Sequence, residues 1–245
     1  MVEIALSIAV VAFALVAILG VLPTGMTVQK DNRDDNVINQ EGRYWLEAIR
    51  SGARGIEDLT NYVESITITN SKKSLVINST GGILNLNGTA LRPVDIVALL
   101  STPKYTGNFT NAVIAHIKAI TGPASEKGPL TNEFSFRYEM QVEITPSGTL
   151  AAPAGFSDAA GMHLYQASLA QNLHEVRLIF RWPLVQRGNG WFVGNNRKTF
   201  RGRVAGTYAA ETNATSVVRT TMNNTFAQQL VTMVPNTFTV LTNAP

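Results

Sequence analysis

Histidines, clustered carboxylates and glycine-bounded turns are the residues of this chain that could do chemistry. His174-Glu175 opens like the His-Glu-x-x-His helix of zinc proteases, in which two imidazoles one turn apart hold the metal and the glutamate activates water. Position 178 is leucine, and the surrounding residues alternate like a strand. His116 and His163 have no companion ligand at metal-binding spacing. Asp31, Asp34 and Asp35 fail as a calcium loop, because Arg33 interrupts the ligand spacing and the loop glycine is missing. Gly188-Asn189-Gly190 sits in a turn with no helix after it, so it is no dinucleotide cradle. No nucleophile elbow or P-loop occurs, and with no cysteine there is no thiolate site or disulfide. The reading is therefore no enzyme, no cofactor and no metal, with the aspartates forming a solvated charge run.

Two other features stand out. Arg177, Arg181, Arg187, Arg197, Lys198, Arg201 and Arg203 fall on two expected neighbouring strands, with Glu175 the only acid nearby and Trp182, Trp191 and Phe200 interleaved. Arg177, Arg181, Arg197, Lys198, Arg201 and Arg203 are read as a basic surface. Phosphate binding needs such charge. Basic residues also protect the edge of a sheet, and nucleic acid is the less favoured partner. The second feature is Glu3, which stands immediately before a run from Ile4 to Leu22 in which only Ser7 is polar. These 19 residues would rise ~28 Å as a helix, close to the ~30 Å of a bilayer's hydrocarbon core. The run has no basic leader of its own and is too long for a typical cleaved signal. A bare anchor has no use for a carboxylate at its mouth. A helix bundle does, because a buried pair with a cation selects one register.

Glu3 together with this apolar run resembles the start of mature type IV pilins and of the pseudopilins of type II secretion. Met1, Val2 and Glu3 match the last three positions of the family motif, in which an aromatic, a hydroxyl residue and two aliphatics precede the glutamate. The exit Leu19-Gly20-Val21-Leu22-Pro23-Thr24-Gly25-Met26 and the stretch from Leu173 to Pro183 resemble a subgroup of large pilin-like proteins. The resemblance implies that Glu3 pairs with the amine of a neighbouring subunit. It implies other pilin or pseudopilin subunits, the inner membrane, a prepilin peptidase and an assembly machine as partners. A basic leader ending in glycine is expected upstream of Met1. The chain would be a structural subunit or minor assembly component of a pilus or pseudopilus. It would cross the bacterial inner membrane once, with its globular part outside the cytoplasm. The alternative is an anchored extracytoplasmic binding module outside any filament.

Several elements must position these residues. The expected class is α+β, with a long N-terminal helix whose second half packs on an antiparallel sheet. Residues 1–27 form the membrane or filament-core helix, with a kink or break at Gly20, Pro23 and Gly25. Proline removes one helical hydrogen bond there and the glycines weaken the rest. Residues 28–66 continue as an amphipathic helix, since Ile38, Trp45, Ile49, Gly52, Ile56, Leu59 and Val63 recur on one face. Gly52 and Gly55 mark a close approach or a break within it. Residues 67–211 form the β-rich domain, with a helix over Pro93–Leu100 and a hairpin through Arg187-Gly188-Asn189-Gly190. Residues 146–171 read as a loop or short helix. The Thr- and Asn-rich tail, 212–245, has four-residue spacing that suits a helix and a composition that suits extended chain. Charged residues make up only 15% of the 245 residues and the net charge is +3, too little to require a polyanionic partner.

Overall fold

A computed structural model describes residues 2–71, 74–80, 82–86, 89–106, 109–120, 136–147, 159–188, 190–210 and 231–239. The chain divides into two compact units, residues 1–40 and 41–245. Helix α1 runs from Val2 to Ser51 and contributes to both.

The first unit is helix throughout its described length. The break expected at Gly20, Pro23 and Gly25 is absent, for the helix passes through all three positions. Proline forfeits one amide donor but the peptides on either side keep theirs. The turns before it are dense in Ala, Leu, Val and Ile. The Thr27 hydroxyl also donates to the Pro23 carbonyl at 3.0 Å.

In the second unit α1 ends sharply. Gly52 takes a left-handed conformation at φ +67°, and the Ala53 amide reaches back to the Ala48 carbonyl at 2.9 Å. This six-to-one bond closes the helix in the Schellman manner. The amphipathic helix expected to reach residue 66 therefore stops at Ser51, 15 positions early. A 3-10 turn (Glu57–Asn61) leads into strand β1 (Val63–Thr69). Apolar residues spaced for one helix face instead come from three elements, all facing the same core: Trp45, Ile49, Leu59 and Val63 are all buried.

The strands that follow are β2 (Ser74–Thr80), β3 (Ile83–Leu86), β4 (Thr89–Ala90), β5 (Tyr105–Thr106), β6 (Phe109–Thr110), β7 (Ala112–Lys118), β8 (Arg137–Pro146), β9 (Leu173–Arg187), β10 (Gly190–Ala210) and β11 (Val231–Pro235). Eight of them and β1 form one nine-stranded sheet in the order β11-β10-β9-β8-β7-β1-β2-β3-β4, and β5 and β6 pair separately. Every pairing is antiparallel. Helix α2 (Pro93–Leu100) starts with proline at its first turn, where no amide is needed. Its Asp95 carboxylate accepts the Arg92 amide at 3.1 Å. Helix α3 (Ala159–Asn172) takes the helical alternative for part of residues 146–171. The described part of the tail, 231–239, takes the extended alternative, as β11 against residues 206–210 of β10. Residues 212–230 and 240–245 lie outside the described residues.

One sheet face is apolar. On β8, Tyr138, Met140, Val142 and Ile144 are buried on that face, as period-two alternation requires. They continue into Val113, Ala115 and Ile117 on β7 and Val176, Leu178 and Phe180 on β9. The last turns of α1 lie against this face. Gly42 lets the Phe200 ring approach so closely that a β-carbon there would stand 2.5 Å from it, and Gly202 on β10 similarly receives Leu46.

Candidate interaction surfaces

The first unit presents a helix whose most apolar stretch has a mean hydropathy of 2.9 and no buried part. It is long and apolar enough to cross a membrane. Phe13, Val16 and Leu19 are each more than two-thirds exposed. Glu3 lies in the first turn, where the helix dipole favours a carboxylate. The Ser7 hydroxyl donates to the Glu3 carbonyl at 2.8 Å. Among the described residues no cation pairs with the Glu3 side chain. Gly20 and Gly25 have nothing within 4 Å of where a side chain would begin.

A second carboxylate, Glu41, sits at the heart of the other unit and is fully buried. One of its oxygens accepts the Tyr138 hydroxyl at 2.6 Å, and the other accepts the Ile120 amide at 2.8 Å. Tyr138 in turn accepts the indole N–H of Trp45 at 2.7 Å. Burial first, and then the neighbouring Glu41 charge, hold the Tyr138 phenol well above its ordinary range. The chain of bonds gives the Trp45 indole, the Tyr138 hydroxyl and both Glu41 oxygens a partner inside the core, the condition for tolerating them there. Sequence reasoning missed this network. Its signal was present, because Glu41 stands one turn before Trp45 and two before Ile49 on the apolar face.

The other face of the sheet is charged and ordered by register. Ser65, His116, Glu139, Arg181 and Arg197 are successive cross-strand partners from β1 to β10. The Ser65 hydroxyl lies 3.1 Å from His116 Nδ1. His116 Nε2 is 3.7 Å from Glu139, and Arg181 donates to Glu139 at 3.3 Å. Hydrogen bonding with His116, and the charge of Arg181, hold the Glu139 carboxyl below its ordinary value against the opposing effect of burial. A parallel row joins Lys104 and Arg177 to Glu143 at 3.1 and 3.2 Å, and Glu64 binds Lys118 and Arg137 at 3.2 and 3.0 Å. The tip of the β9–β10 hairpin follows a bulge between Val193 and Asn196 and brings the Trp191 ring 5.1 Å from that of His116. Serine, histidine and glutamate thus meet, with Ser65 in the middle of strand β1 and Glu139 held by Arg181.

This register corrects the expected basic surface. Arg177, Arg181, Arg197, Arg201 and Arg203 share the charged face. Lys198 is opposite Phe180 and stands on the apolar-core face, because neighbouring strand residues point to opposite sides. Arg177 and Arg181 are already engaged by Glu143 and Glu139, leaving Arg197, Arg201 and Arg203 as exposed arginines with no ion pair among the described residues. His174 is buried in β9 and its Nε2–H donates to the Gly206 carbonyl at 2.8 Å. Desolvation lowers its proton affinity. The described residues hold no cluster of metal-ligating side chains. No protein-family model, no curated protein and no solved structure matches the chain.

Proposed function

We propose that the chain is a membrane-anchored structural subunit, of the type IV pilin or type II secretion pseudopilin kind, that assembles with further copies or related subunits. The observation that carries this reading is the bare apolar helix with Glu3 at its start. In lipid the helix satisfies its own backbone. In a filament core, packing against other helices would replace lipid, and Glu3 would meet a neighbour's amine. In the other unit the end of α1 packs closely on β10, at Gly42 against Phe200 and Leu46 against Gly202, which suits a scaffold carried by the anchored helix. On this reading the first unit resides in the bacterial inner membrane with the sheet outside the cytoplasm. A peptidase and an assembly machine would act on it before and during polymerisation.

The native chain has no cysteine, so a single cysteine placed at Ala9 or Val16 reports helix proximity in cells. Oxidation is expected to yield cross-linked multimers with the native Glu3. Glu3→Ala is expected to abolish the multimers while leaving the protein in the membrane fraction. Multimers unchanged by Glu3→Ala would remove the basis of the reading. The exposed arginines of β10 favour the second reading, an anchored binding module outside any filament. It predicts monomeric protein in the same assay.

A further inference from the structure

We infer that the edge of β10 along residues 190–204, which no other strand covers among the described residues, is a docking site for an extended acidic segment, added to the sheet as one more strand. The argument starts from an imbalance of charge. On the outer face, Glu139 and Glu143 of β8 lie opposite Arg181 and Arg177 of β9. The next strand repeats the positive sign: Arg197 is opposite Arg181 and Arg201 is opposite Arg177. Like charges directly opposite one another destabilise a sheet. Four guanidinium groups therefore face two carboxylates, and of the four only Arg177 and Arg181 form ion pairs among the described residues. Arg203, opposite Glu175, extends the positive row.

The backbone supplies the second observation. β10 pairs with β9 from Gly190 to Ala205. On its other side β11 pairs only with Gly206–Ala210, and the Asn236 amide adds one bond to the Ala205 carbonyl. Asn236 then takes a left-handed conformation at φ +60°, and Thr239 is held by Asn172 of α3, so the chain turns away from β10. Among the described residues no strand lies along residues 190–204 on that side. Such an edge offers peptide groups to an added strand. A second copy of this same edge would bring arginine against arginine. A strand with carboxylates four residues apart on one face would bring them opposite Arg197 and Arg201, as β8 does on the far side of β9. A peptide that merely sought positive charge would find no such spacing rule.

The test uses the full-length chain in detergent and a fluorescein-labelled Thr/Val nonapeptide with two glutamates four residues apart. Fluorescence anisotropy is expected to show binding that weakens as salt is raised and is at least tenfold weaker for the peptide with glutamine at both positions. The double variant Arg197→Glu/Arg201→Glu is expected to lose the acidic peptide and to bind its lysine counterpart, which also shows that the variant folds. Equal affinity for the glutamate and glutamine peptides, or no binding of either, would overturn the inference. So would resistance to hydrogen exchange, before any peptide is added, at those alternate amides of residues 197–204 that point away from β9, since the chain's own segment would then cover the edge. None of these outcomes depends on filament formation.

Discussion

Glu41 shows what a single buried carboxylate demands of its surroundings. A carboxyl group inside a core is tolerated only when its oxygens have hydrogen-bond partners, because the lost hydration must be replaced. Tyr138 and the Ile120 amide provide those partners. Tyr138→Phe would remove the hydroxyl that donates to one Glu41 oxygen and accepts from the Trp45 indole, at a cost of about 2–4 kcal/mol. A lowered thermal midpoint of the full chain in detergent would register it. His174 is coupled to pH in a defined direction. Its folded-state proton affinity is lowered from the ordinary 6.5, so its contribution to stability is complete above that value. It is lost as pH falls from 6.5 through the lowered value, because the unfolded chain takes the proton first. Urea midpoints recorded from pH 7.5 down to 5 should decline, and should decline less in His174→Phe, which has no proton to take up. At the alkaline end Tyr44, pushed up to about 12 mainly by burial, should not ionise at pH 11 until the chain unfolds, as ultraviolet absorbance would report.

Among the elements, those with their own local signal were the ones legible in the sequence. Pro93 fixed the start of α2 at the expected residue, and the alternation around His174 marked β9. Gly188 at φ +59° supports the hairpin turn, although Asn189 itself lies outside the described residues. Two boundaries went wrong for related reasons. Pro23 was given the power to break α1 and does not, while the helix was carried to residue 66 although Gly52, one of two glycines marked for a close approach or a break, ends it. A missing donor costs one bond, whereas a left-handed residue redirects the chain. The approach of α1 to β10 was not legible either, since Gly42 and Phe200 are far apart in sequence and meet only because Gly42 has no side chain. Gly42→Val is expected to destabilise by about 1–3 kcal/mol through overpacking against the Phe200 ring, which Phe180 already meets edge-on at 5.3 Å. Gly42→Val/Phe200→Leu should recover part of the loss in the same melting experiment.

At the scale of the whole molecule, the N-terminal resemblance and the α+β layout came from the sequence, and the ion-pair lattice did not. Composition showed an excess of arginine around 177–203, but only register could show which arginines have carboxylates opposite and which do not. The membrane expectation belongs at this scale because it depends on the unbroken apolar run as a unit. Deleting residues 2–27 is expected to release the protein into the soluble fraction on carbonate extraction, while Glu3→Ala leaves it with the lipids. A full-length chain extracted by carbonate would contradict the membrane assignment.

The close fit of Gly42 to Phe200 also bears on how the protein is made. About 160 residues separate the two, so a ribosome adding about 5–20 residues per second needs roughly 10–30 s between them. Throughout that interval the apolar N-terminus is already available to a translocon, while the inner side of Gly42 still lacks its cover. Membrane insertion can therefore precede completion of the core, and a nascent chain stalled before β10 should be cut readily by protease near Gly42 even when its N-terminus is embedded.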